Sequence, residues 1–142
     1  PRPEAPGGSR AIPHTGSETV LLVEDDDLVR GPIAKALRLA GYAVLVATGS
    51  AEALRLAGEH GGVIHLLVTD VVMPRMNGWD LAQRVTVLHP RIKVLYMSGY
   101  PDDILGRAGS VDPPLAFLQK PFTLDELARK VRDVLNGATQ PD

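Results

Sequence analysis

The stretch TVLLVEDDD, from Thr19 to Asp27, decides the fold of this 142-residue chain. Its first five residues are rich in branched apolar side chains and too few for a helix, so they predict a strand buried on both faces. Four consecutive acids follow this strand directly. In open α/β sheets, ligands bind beyond the carboxyl ends of the strands. We therefore expect the functional site at the carboxyl end of this strand.

Further apolar runs recur along the chain, and segments with helical spacing separate them. The predicted strands are Thr19 to Val23, Tyr42 to Ala47, His65 to Thr69, Lys93 to Met97 and Leu115 to Gln119. The helical apolar stripes are Ile33, Leu37 and Ala40; Ala51 and Leu54; Leu81, Val85 and Leu88; and Leu124, Leu127, Val131 and Val134. Strands that alternate with helices predict right-handed crossovers and a parallel sheet covered on both faces. The predicted fold class is α/β, a flavodoxin-like (βα)5 doubly wound sandwich with a five-stranded parallel sheet.

Capping residues predict where several helices begin and end. Ser50 and Thr123 are predicted N-caps, and Glu126 lies three residues after Thr123, as a capping box requires. Gly41 and Gly137 follow predicted helix ends, where glycine readily adopts the left-handed conformation that ends a helix.

Two segments weaken the helical pattern. Gly31-Pro32 lies early in the first helix, and because proline removes an N–H and crowds the preceding turn, this helix is expected to start late or to kink. The segment from Pro101 to Ser110 contains two glycines that lower helix propensity, so we expect it to form the weakest helix of the domain.

Length and composition predict one globular domain. The chain is 44% hydrophobic and 23% charged, which is sufficient for a buried core. Seven of the 26 Gly and Pro residues lie within the first 16 positions. We therefore predict a flexible linker at 1–17, the folded domain at 18–137 and a C-terminal tail at 138–142. Because the first residue is Pro1, the chain is expected to be part of a longer protein.

Charge and cysteine content exclude several function classes. The net charge of −2 lacks the positive field that phosphate backbones attract, and six residues after Asn136 cannot fold into a DNA-binding output domain. The lack of cysteine excludes disulfides, thiol catalysis and thiolate metal sites, and it fits a cytoplasmic location. No apolar run approaches the about 20 residues of a membrane span, so we expect no membrane contact by this domain.

Charged and hydroxyl side chains end four of the predicted strands. Glu24 and Asp25 follow the first, Asp70 follows the third, Ser98 ends the fourth and Lys120 follows the fifth. Carboxylates crowded at one edge repel each other, by about 4 kcal/mol for a pair at ~4 Å in an effective dielectric of 20. A hard cation such as Mg2+ would neutralise them, with Asp25 and Asp70 as direct ligands and Glu24 acting through water.

Lys120 is expected to pair with Asp70 at rest and with a phosphoryl oxygen afterwards. With Mg2+, Lys120 formally balances the charges of Glu24, Asp25 and Asp70, so that a phosphoryl group is tolerated. Two other acids, Asp26 and Asp27, are interpreted as helix-capping residues rather than ligands, because acidic groups favour a helix N-terminus.

The blocks Val20 to Asp26, Val68 to Pro74 with Asn77-Gly78, Val94 to Tyr100 and Phe117 to Phe122 resemble the response-regulator receiver domains of two-component signalling. The likeness spans about Glu18 to Asn136 and includes the (βα)5 fold. The strings Met97-Ser98-Gly99-Tyr100 and Phe117 to Phe122 are similar to receivers of hybrid sensor histidine kinases. A C-terminal receiver of such a kinase is the leading interpretation, and a free-standing receiver is the alternative.

The resemblance implies a role for each residue of the site. Asp70 is implied as the phospho-acceptor, Val72 as a Mg2+ ligand through its backbone carbonyl, and Ser98 and Lys120 as contacts of the phosphoryl group. Phe117 falls at the switch aromatic, and it lacks the hydroxyl of the tyrosine often found there. The implied partner is a histidine kinase or a histidine phosphotransfer domain.

Three functions are weighed against one another. The leading one is Mg2+-dependent phosphoryl transfer from a phosphohistidine to Asp70, followed by hydrolysis, in which the domain catalyses its own reactions but serves primarily in signalling. The second is a receiver-like protein-binding module that is never phosphorylated, and the full set of site residues argues against it. The third is a carboxylate-dependent phosphohydrolase, whose second acid would stand at Val72, and valine cannot act as a general acid.

Trp79 is equally consistent with the core and with a partner-facing surface. The four histidines, at positions 14, 60, 65 and 89, lie on different elements without the spacing of metal ligands.

On phosphorylation Ser98 is expected to move inward and Phe117 to follow, which would alter a candidate partner face between the segment from Pro101 to Ser110 and the last helix. The side chains assigned to that face are Arg129, Lys130, Arg132 and Asp133.

Overall fold

The computed structural model describes residues 15–99 and 115–137 of the chain. In chain order, its elements are β1 (Thr19–Val23), α1 (Asp27–Leu39), β2 (Ala43–Ala47), α2 (Ser50–Glu59), β3 (Leu66–Asp70), α3 (Gly78–Leu88), β4 (Lys93–Ser98), β5 (Ala116–Gln119) and α4 (Leu124–Leu135). The five predicted strands are all present within a residue or two of their expected bounds. The predicted weak helix from Pro101 to Ser110 lies outside the described residues.

All five strands form one parallel sheet in the order β2-β1-β3-β4-β5. The order reverses direction after β1, so β1 and β3 lie side by side at the centre of the sheet. Since ligands of such sheets bind at this switch point, the carboxyl ends of β1 and β3 are the expected place for a site. The predicted α/β fold with a doubly wound parallel sheet is confirmed.

Alternation along each strand divides the core into two clusters, one on each face of the sheet. Leu21 and Leu67 face the cluster formed with α2 and α3, whereas Leu22 and Leu66 face the cluster formed with α1 and α4. All four leucine side chains are fully buried. The central strands are therefore apolar on both faces, which explains the uninterrupted hydrophobic runs in the sequence.

The helix ends follow the predicted capping chemistry, with one exception. Thr123 caps α4 in a complete capping box with Glu126, and Gly41 and Gly137 have φ values of 107° and 75° after their helices. The prediction for Ser50 is wrong, because Gly49 occupies the N-cap position of α2 without a side-chain bond. Ser50 is the first helical residue, and its hydroxyl lies 3.4 Å from the Met76 carbonyl oxygen, to which it donates.

The first helix does not start late. It begins at Asp27, because the side chain of Asp26 caps it by accepting a hydrogen bond from the Leu28 N–H. Pro32 lies inside the helix. Asp26 thus has the capping role that the sequence suggested, and its cap starts the helix five residues before the proline.

Trp79 belongs to the core. Its side chain is 8% exposed on α3 and packs in the cluster on the α2 and α3 face of the sheet. Its ring centroid lies 4.3 Å from that of Tyr96 and 5.7 Å from that of Phe117. A partner-facing role for Trp79 is therefore excluded by its burial.

Within the described ranges, no helix has both the length and the apolar character that a membrane span requires.

Candidate functional site

The parallel register brings the predicted site residues to one edge of the sheet. Glu24 and Asp25 directly follow β1, and Asp70 is the last residue of the adjacent β3. One carboxylate oxygen from each of these three residues lies within 4.8 Å of the others. This spacing is compatible with a single cation, and oxygen donors of this kind suit Mg2+. The acidic cluster that the sequence predicted is therefore present.

Glu24 is the most deeply buried acid of the cluster, with 1% of its surface exposed. Its Oε1 accepts a hydrogen bond of 2.7 Å from Lys120 Nζ, and its Oε2 accepts one of 3.1 Å from the Asp26 N–H. Burial raises the pKa of the Glu24 carboxyl, and these two hydrogen bonds act in the opposite direction. Protein donors therefore occupy both oxygens of Glu24.

Asp70 lies beside Lys120 and is also largely buried. The distance from its Oδ2 to Lys120 Nζ is 3.3 Å, so the pairing of Lys120 with Asp70 is observed, although the contact with Glu24 is shorter. Burial raises the pKa of Asp70, and the positive charge of Lys120 offsets part of this effect. For Lys120, burial acts to lower the pKa, but the two carboxylates outweigh it and raise the pKa above its ordinary value.

The loop after β3 is shaped by close backbone packing. The Gly78 N–H donates to the Val71 carbonyl at 2.8 Å, and a Cβ added to Gly78 would lie 2.4 Å from the Asp70 carbonyl oxygen. Arg75 has a φ of 73° in the same loop. Val72 is half exposed between the buried Val71 and Met73. The loop therefore leaves Val72 at the surface two residues after Asp70, where the resemblance implied a carbonyl ligand.

The last two strands bring Ser98 and Lys120 to the same edge. Ser98 ends β4 with 1% of its surface exposed, and its carbonyl accepts a hydrogen bond of 2.8 Å from the Lys120 N–H. Phe117 packs on the same sheet face as Trp79 and Tyr96, whereas Leu118 packs on the opposite face. Side chains therefore alternate between the two faces along β5, and Phe117 lies within an aromatic cluster.

Sequence reasoning missed Arg30, which lies in α1 close to the acids. Its Nη1 donates to the Glu24 carbonyl oxygen at 2.9 Å, and its Nη2 pairs with the Asp27 carboxylate. The i, i+3 spacing of Asp27 and Arg30 on a helix was the available signal, because residues three apart lie on the same helix face.

Arg132 does not belong to the exposed face to which the sequence assigned it. Its guanidinium donates to both oxygens of Glu18, at 3.1 and 2.6 Å, to the Tyr42 hydroxyl at 3.2 Å and to the Thr15 carbonyl at 2.8 Å. Glu18 lies 114 positions away in the sequence, so no local pattern indicated this contact. By contrast, Arg129 is exposed, as the sequence suggested.

Comparisons with known proteins agree with this geometry. The response regulator receiver domain family matches residues 20–132. The sensor kinase CckA of Brucella abortus is 43% identical over 126 residues, which cover 89% of this chain and 13% of the kinase. The response regulator receiver protein CpdR of the same organism is 34% identical over 119 residues, covering 84% of this chain and 98% of that protein.

Solved structures give the same result. The crystal structure of the receiver domain from the hybrid histidine kinase CckA is 36% identical, with a TM-score of 0.70, and the match covers 82% of this chain and 98% of that one. A response regulator receiver domain from Clostridium thermocellum is 26% identical, with a TM-score of 0.73, and covers 85% of this chain and 96% of that one. The chain thus spans nearly the whole of these domains but only a small part of the CckA kinase.

Proposed function

The chain belongs to the response regulator receiver domain family, and from that premise we propose that Asp70 accepts a phosphoryl group from a phosphohistidine of a partner protein. The observation that carries this proposal is the largely buried Asp70 carboxylate at the end of a central strand, 3.3 Å from the Lys120 ammonium. The donor would be a histidine kinase or a histidine phosphotransfer domain.

In the transfer, an Asp70 carboxylate oxygen attacks phosphorus while the P–N bond of the phosphohistidine breaks. The leaving imidazole keeps the electron pair of that bond and takes up a proton, and Asp70 becomes an acyl phosphate. Hydrolysis then transfers the phosphoryl group to water, which regenerates the Asp70 carboxylate and releases phosphate. Positioning and charge neutralisation provide most of the catalysis in reactions of this type.

The donor set fits Mg2+, which would neutralise charge on the phosphoryl oxygens when bound. Asp25 and Asp70 are proposed as direct ligands, together with the Val72 backbone carbonyl. Glu24 is proposed to act through water, since Lys120 and the Asp26 N–H already occupy its carboxylate oxygens. With three carboxylates, one ammonium and one divalent cation, the site is formally neutral before phosphorylation.

Ser98 and Lys120 are proposed to contact the transferred phosphoryl group. Both lie at the carboxyl edge that carries Asp70, and the Lys120 N–H bonds the Ser98 carbonyl. Lys120 would exchange part of its contact with the carboxylates for a phosphoryl oxygen. The proposed switch consists of Ser98 and Phe117, with movement of Ser98 making room for Phe117.

The broader setting is also a proposal. The likeness to the CckA receiver supports a place in a hybrid sensor histidine kinase, whereas the likeness to CpdR supports a free-standing receiver. The folded unit is proposed to span 18–137, with a linker at 1–17 and a tail at 138–142. The lack of cysteine fits a cytoplasmic setting.

Intact mass spectrometry after incubation with Mg2+ and a small phosphodonor tests the function directly. We expect one added phosphoryl group that hydroxylamine removes, as an acyl phosphate requires. Asp70→Asn should abolish the addition, whereas Asp80→Asn, on exposed α3 surface, should retain it. A wild-type protein that folds and binds Mg2+ but acquires no phosphoryl group would instead support the protein-binding module.

A further inference from the structure

Arg30 fastens both ends of the turn that carries the acidic cluster. Its side chain is 16% exposed, and its guanidinium contacts the Glu24 carbonyl with one nitrogen and the Asp27 carboxylate with the other. A planar guanidinium can hold two acceptors at once in a fixed geometry, which a lysine ammonium cannot do in the same way. The Arg30 guanidinium, which belongs to the following helix, therefore bridges the two ends of the turn from Glu24 to Asp27.

Asp25 lies within this turn, and the backbone of the turn sets the direction of the Asp25 side chain. Glu24 is held by Lys120 and by the Asp26 N–H, and the Asp26 side chain caps α1. Asp25 is exposed, and within the residues that the structure describes no hydrogen bond holds its carboxylate. The position of the Asp25 oxygen in the cluster is thus set by the turn that Arg30 closes.

We propose that Arg30 is a positioning residue for the cation site: by bridging the Glu24 carbonyl and the Asp27 carboxylate, it keeps Asp25 aimed at Asp70. This inference rests on the proposed function, because it concerns the affinity of the same site for Mg2+. Mutation of a group that orients a metal ligand without contacting the metal typically costs 10–100-fold in metal affinity or activity.

Charge and geometry predict opposite signs for the loss of Arg30. Arg30 is a cation near the site, so its charge alone repels Mg2+, and removing that charge would tighten Mg2+ binding. If Arg30 acts by holding the turn, its removal weakens Mg2+ binding in spite of the lost repulsion. Arg30→Lys separates the two effects further, because it retains the charge and loses the two-point contact of the guanidinium.

The experiment is an NMR titration with Mg2+ alone of the wild-type protein, Arg30→Gln and Arg30→Lys. Arg38→Gln is the matched control, since Arg38 lies on the same helix and donates to the Val44 carbonyl at the other end of the sheet. We expect the dissociation constant for Mg2+ to rise about tenfold in both Arg30 variants and to stay unchanged in Arg38→Gln. In metal-free protein, we expect faster exchange of the Asp26 amide in the Arg30 variants only.

An Arg30→Gln protein that binds Mg2+ as tightly as wild type, or more tightly, would overturn the inference and leave the proposed function intact. The same holds for an Arg30→Lys protein with unchanged affinity, because the two-point contact of the guanidinium would then be unnecessary for Mg2+ binding. If Arg30→Gln does not fold, the Arg30→Lys result decides. A wild-type protein that binds no Mg2+ would overturn both the inference and the proposed metal site.

Discussion

The Nζ atom of Lys120 lies 2.7 Å from Oε1 of Glu24, which makes the buried glutamate the nearer of its two carboxylate partners. Besides its proposed role near the cation, Glu24 holds the lysine in place through this contact. In the proposed transfer, Lys120 would turn toward the phosphoryl group by weakening its contact with the buried Glu24 carboxylate. The resting position of Lys120 is therefore coupled to the protonation and packing of Glu24.

Lys120→Met is expected to destabilise the metal-free protein by about 3 kcal/mol, because it leaves Glu24 buried without its cation. Urea denaturation with EDTA at pH 7 measures this loss. The double variant Glu24→Gln/Lys120→Met should recover part of the lost stability, since it removes the unpaired charge. A single variant as stable as wild type would contradict the importance of this contact.

Asp70→Asn is expected to stabilise the metal-free protein at pH 7 by about 1 kcal/mol. Burial raises the pKa of Asp70, so its contribution to stability is present below the unfolded value of 3.8 and is lost as the pH rises through the higher folded value. The amide removes the cost of the buried charge at pH 7, and the difference should vanish near pH 3. Denaturation curves at both pH values check this, and a less stable variant at pH 7 would refute it.

Mg2+ should stabilise the wild-type protein by about 2.7 kcal/mol at 100 times its dissociation constant. In Asp70→Asn this stabilisation should be largely lost, because a proposed direct ligand is missing. Thermal unfolding with and without Mg2+ measures both effects. Equal stabilisation of the two proteins would remove Asp70 from the ligand set.

Arg132→Ala is expected to cost about 1 kcal/mol at neutral pH, since a largely buried two-point contact with Glu18 is lost. Arg132 lowers the pKa of Glu18, so this stability is present above the unfolded value of 4.5 and is lost as the pH falls through the lower folded value. The difference from wild type should therefore shrink in acid. Arg129→Ala removes only an exposed ion pair and should have almost no effect on the unfolding free energy.

Gly78→Ala is expected to destabilise the protein by about 2 kcal/mol, because the new methyl group would overlap the Asp70 carbonyl oxygen. Gly58→Ala in α2 is the matched control, since nothing lies within 4 Å of its added Cβ. The control should gain a few tenths of a kcal/mol from better helix propensity. Denaturation measures both variants, and a neutral Gly78→Ala would show that the loop after β3 relaxes freely.

The sequence by itself determined the fold and which chemistry-bearing residues lie at the carboxyl edge of the sheet. Short apolar runs predicted the strands, and the order of elements predicted the parallel sheet. Helical stripes predicted most of the buried face of α1, α3 and α4, although Leu88 and Leu124 are exposed. In α2 the predicted stripe of Ala51 and Leu54 is wrong in part, because Ala53 and Ala57 are the buried apolar residues.

Because parallel strands end at a common edge, the positions of Glu24, Asp25, Asp70, Ser98 and Lys120 after their strands were sufficient to bring them together. These features are local or follow from connectivity, so they can be inferred without coordinates.

Tertiary structure alone decided which atoms meet. The sequence does not specify which acid at the edge lies nearest to Lys120. The closer approach of Glu24 depends on the spacing of β1, β3 and β5. Arg132 looked like a solvent-exposed helix residue, but Glu18 and Tyr42 lie against its helix only in the folded chain. Trp79 was ambiguous until Tyr96 and Phe117 supplied its neighbours. The physical reason is that side-chain contacts depend on distances of a few tenths of an ångström between distant segments, whereas periodicity specifies only the face that each residue occupies.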